Sequence, residues 1–377
     1  MPRKRILMVA MPSLHFYRWV QQLENSNFEV SWFDITGSGG SIERIDWVHQ
    51  ITEWKLRWDF PGRIFIKSKF SRLYNIIGRL NERSVTSEFE KVLKTFKPDI
   101  VHSFALYVSC SPILSVMRRH NGLKWVYSSW GSDLYYYQNV PEYLKDIQLV
   151  LSRIDYLFTD CKRDLKIAKS HGFKGEFLGV FPGGGGFKLE ELTKYKEKQE
   201  NRDSILIKGY QGRSGRAIPV LQAILELQEE LKEFKIIVFG ADPEVVEYSK
   251  KSNLMSWGNY EISEKISHID VLKLMGKSKI YIGNSNSDGM PNTLLEAICM
   301  DVYPIQSNPG GVSEEIIKNY HNGLLIKNCD DSNDIKLLIK IGLKSSMFRS
   351  NKHIKENLSY DTVRKLCLEK YLKIYND

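Results

Sequence analysis

The sequence predicts an α/β protein of two domains, each built on a parallel sheet. Three observations carry this prediction: short apolar runs alternate with helix-length segments, the alternation restarts at residue 204, and 377 residues exceed what one core usually holds. We place a first domain at residues 1–190 and a second at residues 191–360. Residues 361–377 should form a terminal helix that packs back on the first domain.

The first half contains five short apolar runs bounded by turn residues, a pattern typical of buried strands. We predict strands at residues 5–11, 29–34, 99–103, 125–129 and 156–159, and a helix at residues 87–95. Ligands of parallel α/β sheets bind beyond the carboxyl ends of the strands. In this half, that edge carries the turn at Ser13 and His15 and the loop from Trp130 to Asp133.

Residues 63–83 form a basic amphipathic segment. Apolar residues recur in it at three- and four-residue spacing, and between them lie Lys67, Lys69, Arg72, Arg79 and Arg83. The spacing predicts a single helix. The segment is either an ordinary surface helix of the first domain or a face that docks on an anionic membrane.

The second half repeats the alternation after a Pro/Gly turn at residues 182–186 and a charged link at residues 194–202. Strands are predicted at residues 204–208, 235–239, 254–257, 280–282 and 302–305. Helices are predicted at residues 217–230, 292–300 and 361–375, the last because its apolar residues must bury one face.

Composition is that of an ordinary globular protein: 42% hydrophobic and 26% charged residues. A net charge of +9 and a pI near 9.0 favour an anionic partner, which could be nucleic acid, an acidic membrane or a phosphate-bearing substrate. The five cysteines form no CxxC pair, so we expect a reducing compartment and no structural zinc. The sequence shows no cluster of residues with metal-ligand spacing, so we expect no catalytic metal and no cofactor. No apolar run reaches the ~18 residues that span a bilayer, so we expect a cytoplasmic or peripheral protein.

A basic, glycine-rich loop follows the predicted strand at residues 204–208 and precedes a helix. It carries Lys208, Arg213 and Arg216 among three glycines. Glycine lets the backbone approach a ligand closely, and guanidinium groups make charge-assisted bonds to phosphate oxygens. The loop is therefore either a diphosphate site or a solvated turn. It lacks the Gly-Lys-Ser/Thr of a Walker loop, which argues against an ATPase.

Two carboxylates, Asp288 and Glu296, stand eight positions apart around a Gly/Pro turn and the start of a predicted helix. The first amides of a helix have no partner within it and attract anions. A turn that offers amides to phosphates and two acids to hydroxyl groups suits a sugar nucleotide. The ordinary alternative is that both acids serve helix capping and the helix dipole.

From Asp288 to Ala297, then at Pro304 and from Gly310 to Glu314, the sequence resembles the family-4 retaining glycosyltransferases of the GT-B fold. Their signature is an acid, seven residues and a Glu, then Pro and Gly-Gly-x-x-Glu, and it occurs here in order. The resemblance implies two Rossmann-like domains whose parallel sheets face an interdomain cleft. The first domain would bind the acceptor, and the second would bind the nucleotide-sugar.

The chain departs from the family pattern at three places. Asp288 stands where Glu is usual, which shortens the side chain but keeps its charge. Trp130 stands where the family often has a His before Gly-x-Asp. Arg216 stands at the position of a Lys in the phosphate loop.

The resemblance also implies roles for individual residues. Arg213, Arg216 and Lys208 would stabilise the leaving diphosphate, together with the amides at the helix start. Glu296 would accept the ribose hydroxyls, and Asp288 would hold the donor sugar. The expected donor-binding set is Lys208, Gly258, Asn259, Tyr260, Gly289, Met290, Asn292, Thr293, Leu294 and Glu296, in which Gly258 to Tyr260 read the base.

On the acceptor side the candidates are Asp133 and His15, with Ser13 and Trp130 beside them. Asp133 is placed with the catalytic residues Asp288, Arg213 and Arg216. Asp133 could instead cap a helix, and His15 could be an exposed turn residue. His102 lies in a predicted buried strand and is expected to be a core residue.

These observations predict a retaining glycosyltransferase that moves a sugar from a nucleoside-diphosphate donor to a saccharide or lipid-linked saccharide of a surface polysaccharide or glycolipid. Family frequency favours UDP as the nucleotide. One alternative is a GT-B epimerase, which would need no acceptor. Another is a basic nucleic-acid-binding protein, but no recognition motif supports it, so we expect no nucleic acid partner. An anionic membrane that binds residues 63–83 is a further candidate partner.

Overall fold

A computed structural model describes residues 4–344 and 351–377. These residues form two compact α/β units. The first unit contains the residues up to Asp160, Asp164–Gly185 and Arg364–Asp377. The second contains Cys161–Arg163 and Gly186–Val363.

The first unit has a seven-stranded sheet in which every pairing is parallel. Its strands are β1 (Lys4–Ala10), β2 (Phe28–Asp34), β3 (His49–Ile51), β4 (Ile100–Phe104), β5 (Lys124–Ser128), β6 (Tyr156–Thr159) and β7 (Glu176–Val180). The order across the sheet is β3-β2-β1-β4-β5-β6-β7. The order reverses between β1 and β4, and open α/β sheets bind ligands at such a reversal, beyond the carboxyl ends of the strands.

Helices connect these strands, as expected for parallel pairings. They are α1 (Leu14–Gln21), α2 (Arg63–Lys69), α3 (Ser71–Asn81), α4 (Val85–Phe96), α5 (Leu114–Arg119), α6 (Ser132–Tyr135), α7 (Pro141–Leu151) and α8 (Lys162–Ser170). A single π-helical turn, Leu106–Cys110, follows β4.

Side chains of β4 alternate between the two faces of the sheet. On one face, Ser103 Oγ accepts a hydrogen bond from Trp125 Nε1 at 3.0 Å. On the other face, the His102 ring stacks on Phe104 with centroids 4.1 Å apart. His102 is fully buried, which confirms the expectation that it is a core residue.

The terminal helix α16 (Tyr360–Asn376) contributes its residues from Arg364 onward to the first unit. Its Tyr371 hydroxyl accepts a hydrogen bond from Trp19 Nε1 at 3.0 Å and lies 2.6 Å from His102 Nδ1. His102 Nε2 in turn lies 2.8 Å from Ser128 Oγ. The helix is therefore fixed to the sheet by a buried chain of polar contacts as well as by apolar packing.

The second unit has a six-stranded parallel sheet. Its strands are β8 (Ser204–Lys208), β9 (Lys235–Phe239), β10 (Tyr260–Ile262), β11 (Ser278–Gly283), β12 (Tyr303–Ser307) and β13 (Leu324–Ile326). Its helices are α9 (Leu189–Thr193), α10 (Ala217–Leu225), α11 (Pro243–Lys251), α12 (His268–Lys277), α13 (Asn292–Cys299), α14 (Ser332–Lys344) and α15 (Lys352–Leu358). The order is β10-β9-β8-β11-β12-β13, so this sheet reverses between β8 and β11.

The two sheets confirm the predicted fold class, but three predicted elements need correction. Residues 254–257 are not a strand: Leu254–Ser256 form a 3-10 turn, and the strand follows at Tyr260. The helix predicted at residues 217–230 ends at Leu225.

The single helix predicted at residues 63–83 is two helices, α2 and α3. Phe70 separates them because it adopts φ −128° and ψ 59°, outside the helical region. Its ring contacts the Phe65 ring at a centroid distance of 6.1 Å. The side chains of Lys67, Leu73 and Arg79 lie outside the described part of this segment.

Candidate donor and acceptor sites

In the second unit, the loops that follow β8 and β11 lie side by side at the carboxyl edge of the sheet, where the strand order reverses. Three backbone and amide bonds join them. Arg216 N donates to Asn284 O at 3.0 Å, Asn286 N donates to Ser214 O at 2.9 Å, and Asn284 Nδ2 donates to Arg216 O at 2.8 Å. The basic loop and the acidic segment that the sequence singled out are therefore parts of one site.

Gly215 is required by the close approach of the chain within the basic loop. A Cβ atom at this position would lie 2.2 Å from the backbone C and O atoms of Tyr210. No side chain fits there without moving the loop backbone. The glycine thus allows the loop to fold back on the Tyr210 backbone.

The three predicted cations differ in their surroundings. Lys208 Nζ lies 4.0 Å from Asp288 Oδ2 and 4.5 Å from the centre of the Tyr210 ring. Arg216 is held by its own loop and by Asp330, since Nη1 donates to the Gly215 carbonyl at 2.7 Å and Nε to Asp330 Oδ1 at 2.9 Å. Arg213 is exposed.

The helix α13 begins immediately after the turn that carries Asp288. Its N-cap residue is Pro291, which provides no side-chain acceptor for the first amides of the helix. Asp288 Oδ1 accepts a hydrogen bond from Gly289 N at 3.0 Å, and about a third of the Asp288 side chain is exposed (33%). Gly289, Met290, Thr293 and Leu294 therefore lie at the same edge as the basic loop.

Glu296 is buried, with 4% of its surface exposed, and it is paired with a residue that the sequence analysis missed. His268 Nε2 lies 2.7 Å from Glu296 Oε1. His268 is the first residue of α12, behind the N-cap Ser267. Because a strand was predicted at residues 254–257, the start of α12 was not expected near Glu296. The observed strand, β10, brings the start of α12 to the carboxyl edge of the sheet.

The predicted base-reading turn lies elsewhere. Tyr260 pairs with Ile236, near the start of β9, so Gly258 and Asn259 precede β10 at the amino edge of the sheet. Asn259 Nδ2 donates to Lys232 O, and the Tyr260 hydroxyl lies 2.7 Å from Ser249 Oγ inside the core. The structure does not bring these three residues to the basic loop, so we withdraw their assignment as base contacts.

In the first unit, the structure brings two of the predicted acceptor-side residues together. The His15 ring contacts the Trp130 ring edge to face at a centroid distance of 6.0 Å. His15 is exposed, and in the described part of the chain the buried Trp130 Nε1 has no hydrogen-bond partner. Ser13 is the N-cap of α1, and its Oγ accepts from Phe16 N at 3.3 Å.

Asp133 lies beneath this surface, with 3% of it exposed. Its Oδ2 accepts from the Tyr127 hydroxyl at 2.6 Å and from Leu106 N at 2.9 Å, and its Oδ1 accepts from Trp130 N at 2.9 Å. Burial raises the pKa of Asp133 to about 6, although these hydrogen bonds act in the opposite direction. The carboxylate is therefore committed to the protein's own donors.

Two α/β units, each built on a parallel sheet whose strand order reverses, form the architecture of the GT-B glycosyltransferases. Two family models match the chain: "Glycosyl transferases group 1" over residues 190–358 and "Glycosyl transferase 4-like" over residues 5–160. Together the two models cover most of the chain, which belongs to the glycosyltransferases that they describe.

Known proteins agree with this assignment. The chain is 28% identical to the uncharacterized glycosyltransferase MJ1069 of Methanocaldococcus jannaschii over 197 residues, which are 50% of this chain and 48% of that protein. It is 26% identical to a Campylobacter jejuni alpha-1,4-N-acetyl-D-galactosaminyltransferase, named for a diNAcBac-PP-undecaprenol acceptor, over 40% of this chain and 41% of that protein. The chain thus matches half or less of the length of each curated relative.

A solved structure shares the fold. Anabaena Alr3699/HepE, crystallised with UDP and glucose, superposes with a TM-score of 0.69 at 11% identity, covering 98% of this chain and all of that one. Among the described residues, no helix combines the length and apolar character needed to cross a membrane.

Proposed function

We propose that the protein is a retaining glycosyltransferase that moves a sugar from a UDP-sugar to a saccharide or lipid-linked saccharide acceptor. The observation that carries the proposal is the joining of the loops after β8 and β11 at the reversal of the second sheet. This arrangement places Lys208, Arg216, Asp288 and Glu296 at one edge.

The leaving diphosphate is the first requirement of the reaction. Cleavage of the donor's glycosidic bond builds negative charge on the phosphate while the sugar becomes oxocarbenium-like. Lys208 and the guanidinium groups of Arg213 and Arg216 would stabilise this negative charge. The amide dipoles at the start of α13 would stabilise it further. Arg216 would exchange its bond to Asp330 for the ligand, because Asp330 is largely exposed and its hold is weak.

Nucleoside and sugar would be held by the two acids. Glu296 would accept hydrogen bonds from the ribose hydroxyls, and His268, 2.7 Å away, would keep its carboxylate in place. Asp288, with the backbone from Gly289 to Asn292, would bind the donor sugar. The sequence provides no evident nucleophile, so same-face substitution, in which the departing phosphate deprotonates the acceptor, fits the retaining family best.

UDP and a lipid-linked acceptor are supported by the similar proteins. HepE was crystallised with UDP and glucose, and the Campylobacter relative is named for an undecaprenol-linked acceptor. The helices α2 and α3 agree with such an acceptor, because Phe65, Phe70 and Leu80 are 59%, 55% and 71% exposed beside basic residues. This combination suits the surface of an anionic membrane, where the protein would meet a lipid-linked saccharide.

The test measures release of UDP from a panel of UDP-sugars, with and without saccharide acceptors, for the unaltered protein and for Glu296→Gln. The substitution removes the charge that binds the ribose, which is worth about 1.5–3 kcal/mol. We therefore expect the KM for the donor to rise about 10- to 100-fold.

The matched control is Glu229→Gln, an exposed glutamate of the same unit, which should leave UDP release unchanged. If no nucleoside-diphosphate sugar binds the protein or is turned over, the proposed function is wrong. Conversion of a UDP-sugar without any acceptor would identify an epimerase instead.

A further inference from the structure

Four tyrosine rings meet at the carboxyl edge of the first sheet. Tyr137 lies at their centre, with centroid distances of 4.4 Å to Tyr107, 4.5 Å to Tyr143 and 5.1 Å to Tyr136. We call these four residues the tyrosine platform. Tyr143 is 36% exposed, and the other three are half-buried, so phenol rings face solvent here.

The platform stands on a backbone of unusual conformation. Ala105, which follows β4, has φ 61° and ψ 107°, a region that residues with a Cβ rarely adopt. The next five residues, Leu106–Cys110, form the π-helical turn that carries Tyr107. Strained residues and π-turns concentrate at functional sites, because folding alone does not favour them.

The two segments of the platform are joined by Asp133. Its carboxylate accepts from Leu106 N, next to Tyr107, and from Trp130 N, in the loop that leads to Tyr136 and Tyr137. One buried group therefore fixes the distance between the two sets of rings. A fixed spacing is what a binding surface needs.

The charge of this surface limits what it binds. The sequence has no Lys or Arg at residues 105–117 or at residues 129–144, although Arg118 and Lys145 follow directly, and its acids there are the buried Asp133 and the exposed Glu142. The four rings themselves provide no cation for phosphates, acidic sugars or anionic lipid headgroups. Aromatic rings with hydroxyl groups instead match a neutral sugar, which has an apolar face and a rim of hydroxyls.

We propose that the tyrosine platform binds a neutral sugar ring of the acceptor, with the exposed face of Tyr143 stacked on that ring. The proposal rests on the proposed function, since it names where the acceptor saccharide binds and what kind of sugar it carries. Asp133 is then a positioning residue that holds the platform together and does not touch the substrate.

The test compares Tyr143→Ala, Tyr143→Phe and Tyr375→Ala. Tyr375 is the matched control, because it lies in the same unit and is also 36% exposed. Binding of methyl glycosides of glucose, galactose, N-acetylglucosamine, N-acetylgalactosamine and glucuronic acid is followed by saturation-transfer NMR, and binding of UDP by calorimetry. Loss of one stacked ring should weaken binding by about tenfold.

We expect the unaltered protein and Tyr375→Ala to bind at least one neutral glycoside. Tyr143→Ala should weaken that binding about tenfold and leave UDP affinity unchanged, and Tyr143→Phe should keep most of it. Binding of no neutral glycoside, preference for glucuronic acid, or equal binding by Tyr143→Ala would each overturn the proposal.

Two further measurements separate this proposal from its neighbours. If Tyr143→Ala lost binding to phosphatidylglycerol vesicles while keeping glycoside binding, the platform would be a membrane contact and the proposal would be wrong. If the protein bound no UDP-sugar but Tyr143→Ala still lost glycoside binding, the proposed function would fail and the saccharide site would stand.

Discussion

At Asp133, a single carboxylate is hydrogen-bonded to three donors from three parts of the first unit. Tyr127 belongs to β5, Leu106 to the π-turn and Trp130 to the loop before α6. Its burial raises its pKa to about 6, so the carboxyl binds a proton more tightly in the folded protein than in the unfolded chain.

The pH dependence of stability follows from this shift. An unfolded Asp has a pKa of about 3.9, so between pH ~4 and ~6 the folded state holds a proton that the unfolded state has released. Protonation of Asp133 therefore contributes stability that is complete below pH ~4 and is lost as the pH rises through ~6. The size is on the order of 2–3 kcal/mol.

We expect Asp133→Asn to lack this contribution. Urea unfolding of both proteins from pH 4.5 to 7.5 should show that the unfolding free energy of the unaltered protein falls, relative to that of the variant, as the pH rises. Burial lowers the pKa of His102, which costs stability as the pH falls below ~6.5, but it does so in both proteins and cancels. A difference in unfolding free energy that did not change with pH would contradict the burial of Asp133 as described.

The roles of single residues could be predicted only where the chemistry is continuous in the chain. Asp288 and Glu296 share one short segment with their turn and helix, so the sequence alone predicts that they lie near each other. His268 reaches Glu296 across 28 positions, and that contact required the correct placement of β10. The hydrogen bond from Leu106 N to Asp133 depends on the π-helical turn at Leu106, and no sequence pattern predicts that turn.

At the scale of elements, α16 is held by Tyr371. Its hydroxyl contacts Trp19 Nε1 and His102 Nδ1, and all three side chains are essentially inaccessible to solvent. Because no water reaches these atoms, loss of the hydroxyl would leave two polar groups without a partner.

Tyr371→Phe should therefore lower the free energy of unfolding by about 1–3 kcal/mol. Tyr375→Phe, on the exposed side of the same helix, should change it by less than about 0.5 kcal/mol. Chemical unfolding followed by tryptophan fluorescence measures both, since Trp19 lies at the contact. Equal stability of the two variants would show that packing alone holds α16.

The strands show which elements a single sequence predicts well. Apart from residues 254–257, each predicted strand overlaps an observed one to within two residues at either end. The observed strands that were not predicted are β3, β7, β10 and β13, and these are the edges of the two sheets. Central strands of a parallel sheet are buried on both faces and form continuous apolar runs, whereas edge strands are short and partly solvated.

At the scale of the whole molecule, the net charge of +9 is unevenly distributed. Residues 105–117 and 129–144, which carry the tyrosine platform, contain no Lys or Arg, whereas residues 63–83 contain several together with exposed apolar side chains. The basic character of the chain is thus concentrated where the proposed lipid-linked acceptor would require a membrane contact.

This distribution predicts how the protein binds vesicles. Phe65→Ser/Phe70→Ser should weaken binding to phosphatidylglycerol vesicles at least tenfold, because burying each Phe is worth about 1.5–3 kcal/mol. Leu337→Ser, an equally exposed position of the second unit at 57%, is the control and should have no effect. Co-sedimentation at low and high salt measures both, and failure of the unaltered protein to bind at low salt would rule out the membrane contact.

The contact of Tyr371 with His102 also sets an order of events during synthesis. The two residues are 269 positions apart, and the second unit lies between them in the chain. When β4 leaves the ribosome, Tyr371, which contacts Trp19 and His102, has not yet been synthesised. The face of the first sheet that α16 covers therefore stays exposed while the second unit is translated. During that interval a nascent chain exposes apolar surface, which is the condition under which chaperones bind and aggregation begins.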